Sequence, residues 1–140
     1  LKSILSHASV RHAMFREFHI LSPQDTLAKA VELTLAGSQK DFPVGTRNKP
    51  DKVLYHSDLI KGLQEKGEHA RIGELPLQEI LSTDINEPLG PLLERMQGSP
   101  AQMIYVTDAG QTVGLLNLEH LLELIRIQQA VEAHHISKNH

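Results

Sequence analysis

The sequence predicts a mixed α/β (α+β) fold made of two strand–helix–strand–strand–helix units packed together. Three observations predict it. The chain repeats itself, without a gap, at an offset of 62 residues. Each copy alternates helical periodicity with short apolar runs bounded by turn residues. One such unit has few buried layers of its own, so two are expected to pack sheet to sheet and share one core.

The register runs through the whole unit. Leu27 aligns with Leu89, Val31 with Leu93 and Glu32 with Glu94. Further on, Phe42-Pro-Val44 meets Ile104-Tyr-Val106, Val53-Leu54 meets Leu115-Leu116, and Leu59-Ile60 meets Leu121-Leu122. Backwards, Val10 meets Ile72. A few apolar matches arise easily by chance; a register held across the whole unit does not.

The elements follow in order. A first strand is expected near His19–Ser22, with its counterpart at Ser82–Asp84. Apolar residues at 27, 30, 31 and 35 predict a helix from Leu27 to Ala36, capped by Asp25 or Thr26 and closed by Gly37. In the second copy Asn86 and Pro88 open the helix and Gly98 closes it. A short strand comes next, Asp41–Val44 or Met103–Val106. A turn follows, Gly45–Pro50 or Asp108-Ala-Gly110. The next strand is Lys52–Tyr55 or Thr112–Leu116, and a second helix starts near Ser57 or Leu118. The boundaries read as a linker or helix over 1–9, repeat one over 10–66, repeat two over 72–133, and a tail over 134–140. The last helix carries Leu121, Leu122, Leu124, Ile125, Ile127 and Val131, a stripe suited to a core or a dimer seam.

Composition excludes several functions. In 140 residues, 40% are apolar, enough for a core, and 22% are charged, with a net charge of −3. The 14 lysines and arginines are scattered, whereas a nucleic-acid partner needs a clustered basic face. No cysteine is present, which excludes disulfides and thiolate metal sites. No apolar run approaches the ~18 residues of a membrane helix, so direct membrane insertion is not expected. The expected location is cytoplasmic, or the soluble side of a membrane protein. The chain begins at Leu1 and reads as part of a longer protein, whose attached domain would be its first partner.

The chain resembles a tandem pair of CBS domains, the module named after cystathionine beta-synthase. The resemblance rests on Val10-Arg-His-Ala-Met14, Leu21-Ser-Pro-Gln-Asp-Thr-Leu27, Asp41-Phe-Pro-Val44 and Val53-Leu-Tyr-His-Ser-Asp-Leu59. In the second copy it rests on Asn86-Glu-Pro-Leu89, Ile104-Tyr-Val106 and Val113-Gly-Leu-Leu-Asn-Leu-Glu-His-Leu121. It implies two β-α-β-β-α repeats packed as a pseudo-twofold pair of sheets with helices outside, two clefts often used for AMP, ADP, ATP or S-adenosylmethionine, and a homodimer. The run Gly114 to Arg126 further resembles the end of CBS pairs attached to site-2-type membrane zinc metalloproteases. The chain carries no His-Glu-x-x-His, so it cannot itself hold that zinc.

In this family the last strand of a repeat leads into Gly-x-x-Ser/Thr-x-x-Asp at the helix start. The aspartate can accept hydrogen bonds from both ribose hydroxyls, and the helix N-terminus favours nearby phosphate. Repeat one reads Lys52-Val-Leu-Tyr55-His-Ser-Asp58 and keeps only the aspartate. Repeat two reads Gly114-Leu-Leu-Asn117-Leu-Glu-His120 and keeps only the glycine. A neutral imidazole offers one acceptor and cannot hold a diol in the same way. The resemblance therefore implies a nucleotide site around Asp58, with Tyr55 stacking on the base or filling the pocket and His56 and Ser57 near phosphate. Ile20, Phe42, Pro43, Val44 and Val53 would form apolar walls. An acidic residue in a first helical turn also suits the helix dipole without any ligand, and Phe42 and Val44 also suit a plain core.

Nine histidines invite a metal site, but none has ligand spacing, and His134 and His135 point about 100° apart on a helix. No Gly-x-Ser-x-Gly, phosphate loop or cysteine nucleophile is present, so neither catalysis nor a metal is expected. Two functions remain. One is a regulatory module sensing an adenosine nucleotide. The other is a structural dimerisation module whose clefts are filled by their own side chains.

Overall fold

The computed structural model describes residues 9–37 and 39–138. Most of the expected linker over 1–9 therefore lies outside the described residues, as do positions 139 and 140 of the expected tail. The architecture is mixed α+β: two three-stranded sheets with helices packed on them.

In the first sheet β1 (Phe42–Thr46) and β2 (Lys49–Leu54) form an antiparallel hairpin, and β3 (Gln78–Glu79) adds to β2. In the second, β4 (Leu81–Asp84) runs parallel to β5 (Met103–Asp108), which pairs antiparallel with β6 (Gln111–Asn117). The strand expected at His19–Ser22 is reduced to one parallel bridge, Leu21 to Val44. The Leu21 N–H donates to the Pro43 carbonyl at 2.9 Å, and the Gly45 N–H donates to the Leu21 carbonyl at 2.8 Å. Pairing stops there because the Ser22 N–H turns to the Asp25 carboxylate at 2.8 Å and Pro23 has no N–H to offer.

The hairpin turns are tighter than the sequence suggests. β1 continues to Thr46 and β2 begins at Lys49, so only Arg47 and Asn48 turn. A bulge at Gly45 permits this: its φ is +142°, and a Cβ there would lie 3.0 Å from Pro50 Cα. In the second hairpin Ala109 (φ 50°) and Gly110 (φ 80°) both adopt positive φ, the turn that matches strand twist.

Four long helices cover the sheets: α2 (Leu27–Ala36), α3 (His56–Lys66), α4 (Leu89–Gln97) and α5 (Leu118–Lys138), preceded by the short α1 (Val10–Ala13). Thr26 is the cap of α2, its hydroxyl accepting the Lys29 N–H at 3.3 Å, while Gly98 closes α4. At 21 residues α5 is far longer than the 11-residue α3 and runs into the segment expected as a tail. No helix among the described residues is long and apolar enough to cross a membrane.

The single shared core expected from sequence is divided instead. Leu21, Leu27, Phe42, Val44, Leu54 and Leu59 pack in one cluster under α2 and α3. Leu89, Leu92, Ile104, Val106, Leu116 and Leu121 form its counterpart under α4 and α5. A third, smaller cluster of Val53, Met103 and Leu115 joins the two units. Side chains alternate along a strand, so Leu54 enters a helix-side core while Val53, one residue earlier, enters the junction.

The segment leading into each repeat packs on the other repeat. Val10, Ala13 and Met14 belong to the second unit's core, and Ile72 and Leu75 belong to the first unit's core. The hydrogen bonds repeat at the same offset. The Val10 N–H donates to the Glu87 carbonyl at 3.2 Å, and the Ile72 N–H donates to the Asp25 carbonyl at 2.9 Å. Bridges Ser9–Pro88 and Thr26–Arg71 are likewise equivalent. Phe15 pairs with Leu115 on the edge of β6, as β3 pairs with β2.

Candidate functional site

The last strand of the first unit delivers Tyr55 to the start of α3, with Asp58 in the first helical turn. Tyr55, His56, Ser57 and Asp58 line one open cleft of about 520 Å³ with Lys40, Asp41 and Gln102. Four of the nine residues expected at the site therefore come together. The other five do not line this cleft. Phe42 and Val44 are fully buried in the helix-side core, because their positions in β1 point away from the junction. Val53 is buried in the junction, Pro43 is buried in β1, and Ile20 is partly exposed beside the Leu21 bridge.

Tyr55 is fixed across the junction. Its hydroxyl accepts the Gln102 backbone N–H at 2.9 Å, and its ring packs against the Val53, Met103 and Leu115 cluster. Burial pushes the Tyr55 phenol above its usual pKa, partly opposed by the hydrogen bond from Gln102. The first N–H of α3 is also engaged: His56 N–H donates to Asp41 Oδ1 at 2.7 Å. The His56 Nδ1 atom is buried without a hydrogen-bond partner among the described residues.

Asp41 is held in place by Gln39. The Gln39 amide donates to the His19 carbonyl at 2.9 Å and to the Asp41 carbonyl at 3.1 Å, while Gln39 Oε1 accepts the His19 N–H at 2.7 Å. Lys40, Asp41 and Gln102 are cleft residues that the motif did not mark. The repeat register was the available signal, because Lys40 and Gln102 are equivalent positions at the mouth of β1 and β5.

A second, more enclosed pocket of about 180 Å³ lies where the register places the counterpart cleft. Phe15, Phe18, Lys40, Asp41, Met103 and Asn117 contribute to its lining, so Lys40 and Asp41 face both clefts. Asn117 caps α5 by accepting the His120 N–H at 2.7 Å. His120, which stands where the first unit has Asp58, lies against Phe15 with ring centroids 4.8 Å apart. The retained Gly114 makes room for Met14, whose Sδ would lie 2.5 Å from a Cβ there. At the equivalent place Lys52, on the central strand β2, pairs with Glu79 of β3 at 2.6 Å, both side chains exposed. Among the described residues no three histidine or acidic side chains gather as a metal site.

Comparisons with known proteins bear on the fold. No protein-family model matches the chain, and no curated relative matches it. Solved structures do. A hemolysin-like protein containing a CBS domain from Oenococcus oeni PSU is 21% identical, with a TM-score of 0.75 over 85% of this chain and 90% of that one. The CBS domain of a bacterial CNNM/CorC family Mg²⁺ transporter, solved in complex with ATP, is 24% identical, with a TM-score of 0.74 over 86% and 89%. The CBS domains of a transcriptional regulator from Streptococcus pneumoniae are 17% identical, with a TM-score of 0.65 over 83% and 98%. The chain has the fold of a tandem CBS-domain pair.

Proposed function

We propose that this CBS-type pair is a non-catalytic regulatory module of a larger protein, taking an adenosine compound such as AMP, ADP, ATP or S-adenosylmethionine into the cleft beside Asp58. The observation that carries this reading is the position of Asp58. Its carboxylate sits in the first turn of α3 and lines an open cleft at the junction of the two units. One carboxylate has enough lone pairs to accept both hydroxyls of a ribose. The ATP complex of the similar transporter domain supports the ligand class. A ligand that binds one arrangement of the pair better than another would shift how it docks on its attached domain.

Thermal unfolding with adenosine, AMP, ATP and S-adenosylmethionine tests the reading. A ligand at ~100 times its Kd stabilises the folded state by about 2.7 kcal/mol, a shift of several degrees for a chain of this size. The shift is expected in the native chain and absent in Asp58→Ala. No shift with any of the four at millimolar concentration contradicts the reading.

One observation favours a second reading, a structural dimerisation module. Tyr55 already fills part of the junction, with its hydroxyl committed to Gln102. Under that reading none of the four compounds binds, and light scattering shows a homodimer rather than a 15.6 kDa monomer. As to the parent, the Gly114–Arg126 run supports attachment to a membrane-embedded protein of the site-2 zinc metalloprotease type, with this pair on the cytoplasmic side.

A further inference from the structure

The cleft beside Asp58 carries more negative than positive charge. Among the described residues Lys40 is the only lysine or arginine that lines it, against the carboxylates of Asp41 and Asp58. The enclosed pocket repeats the imbalance, with Lys40 against Asp41 and Glu17. A phosphate commonly binds at a helix start through free N–H groups. At α3 the His56 N–H already donates to Asp41 Oδ1 at 2.7 Å, so a protein carboxylate holds that place. The Tyr55 hydroxyl is already engaged by the Gln102 backbone N–H at 2.9 Å. Among the described residues nothing in the cleft replaces the several cations that a polyphosphate chain needs when it leaves water.

We infer that the ligand of this cleft is an adenosine compound whose 5′ substituent is uncharged or cationic, such as adenosine itself or the sulfonium S-adenosylmethionine, and not a nucleoside polyphosphate. The inference rests on the reading of the Asp58 cleft and narrows it. Asp58 takes the ribose diol, and Asp41, at the start of α3, meets whatever the 5′ carbon carries. A cation there is attracted to Asp41, whereas a phosphate chain is repelled by it. One unit charge at that range shifts an affinity by about tenfold.

Isothermal calorimetry on the full chain tests this at pH 8. Adenosine, S-adenosylmethionine, AMP and ATP are titrated at low salt, and ATP also as its magnesium complex. The expected order places S-adenosylmethionine and adenosine about tenfold or more above ATP. Added salt is expected to weaken S-adenosylmethionine binding and to strengthen ATP binding. Asp41→Asn keeps an oxygen for the His56 N–H but removes the charge, and is expected to narrow the gap between AMP and S-adenosylmethionine. ATP or its magnesium complex binding as tightly as adenosine overturns the inference while leaving the adenosine site intact. No binding by any of the compounds removes the adenosine site itself.

Discussion

The Tyr55 hydroxyl accepts the Gln102 backbone N–H at 2.9 Å, so a side chain of the first unit completes the backbone hydrogen bonding of the second. Tyr55→Phe keeps the ring in the junction and leaves that N–H unpaired. The expected loss is about 1 kcal/mol, read as a lower denaturant midpoint with an unchanged m-value. The pH dependence has a definite sign. Burial raises the Tyr55 pKa above its ordinary 10.0, so the fold favours the neutral phenol. That contribution is complete below pH 10 and is lost as pH rises through the raised value. The stability difference between the native chain and Tyr55→Phe is therefore expected to shrink above pH 10; a difference that grows contradicts the assignment.

Gly114 is expected to tolerate no side chain while Met14 is present. A Cβ would stand 2.5 Å from Met14 Sδ and 2.9 Å from its Cγ. Met14 is part of the N-terminal segment that packs on the second unit, so Gly114→Ala pushes against that docking. The expected cost is about 1–3 kcal/mol in thermal or chemical unfolding. Met14→Ala in the same chain should recover part of the loss, and a strictly additive double mutant would contradict the contact.

Glu87 and Arg95 form a clasp that the first unit lacks, where the position of Arg95 is held by Leu33. Glu87 accepts from the Thr83 hydroxyl at 2.6 Å and from Arg95 Nη1, and Arg95 Nη2 donates to the Ser82 carbonyl at 2.5 Å. Arg95 is 45% exposed, so solvent screens the pair and Arg95→Ala should cost about 1 kcal/mol. Glu87→Ala also takes from the buried Thr83 hydroxyl its acceptor at 2.6 Å, leaving it the Asp84 carbonyl at 3.3 Å, and should cost more, about 1–3 kcal/mol, by urea unfolding. Equal losses would mean that the Thr83 contact carries nothing.

The scaffold was legible because equivalent positions in the repeat do the same work. Phe42 and Ile104, Leu54 and Leu116, and Leu59 and Leu121 are buried in corresponding places under their own helices. Periodicity reports which face of an element is apolar, and burial follows from it. It does not report which neighbour covers that face, and so Val10 and Ile72 gave no sign that each packs on the opposite unit. The site was legible only along one stretch, Tyr55 to Asp58. The groups that complete it reach across the sequence: Asp41 to His56 over 15 residues and Tyr55 to Gln102 over 47. Such partners are fixed by how the strands assemble, not by local pattern. Phe42 and Val44 illustrate the converse, since an apolar strand residue beside the motif faces the core as readily as the cleft.

Whether an adenosine compound is held beside Asp58 can be read residue by residue from backbone amide NMR of the chain during titration with adenosine or S-adenosylmethionine. Saturable shift changes are expected at Asp41, at His56 to Asp58 and at Gln102, lost in Asp58→Ala while the rest of the spectrum is preserved. Changes confined to Phe15, Phe18 and Asn117 would place the ligand in the other pocket and contradict it, as would a spectrum that does not move.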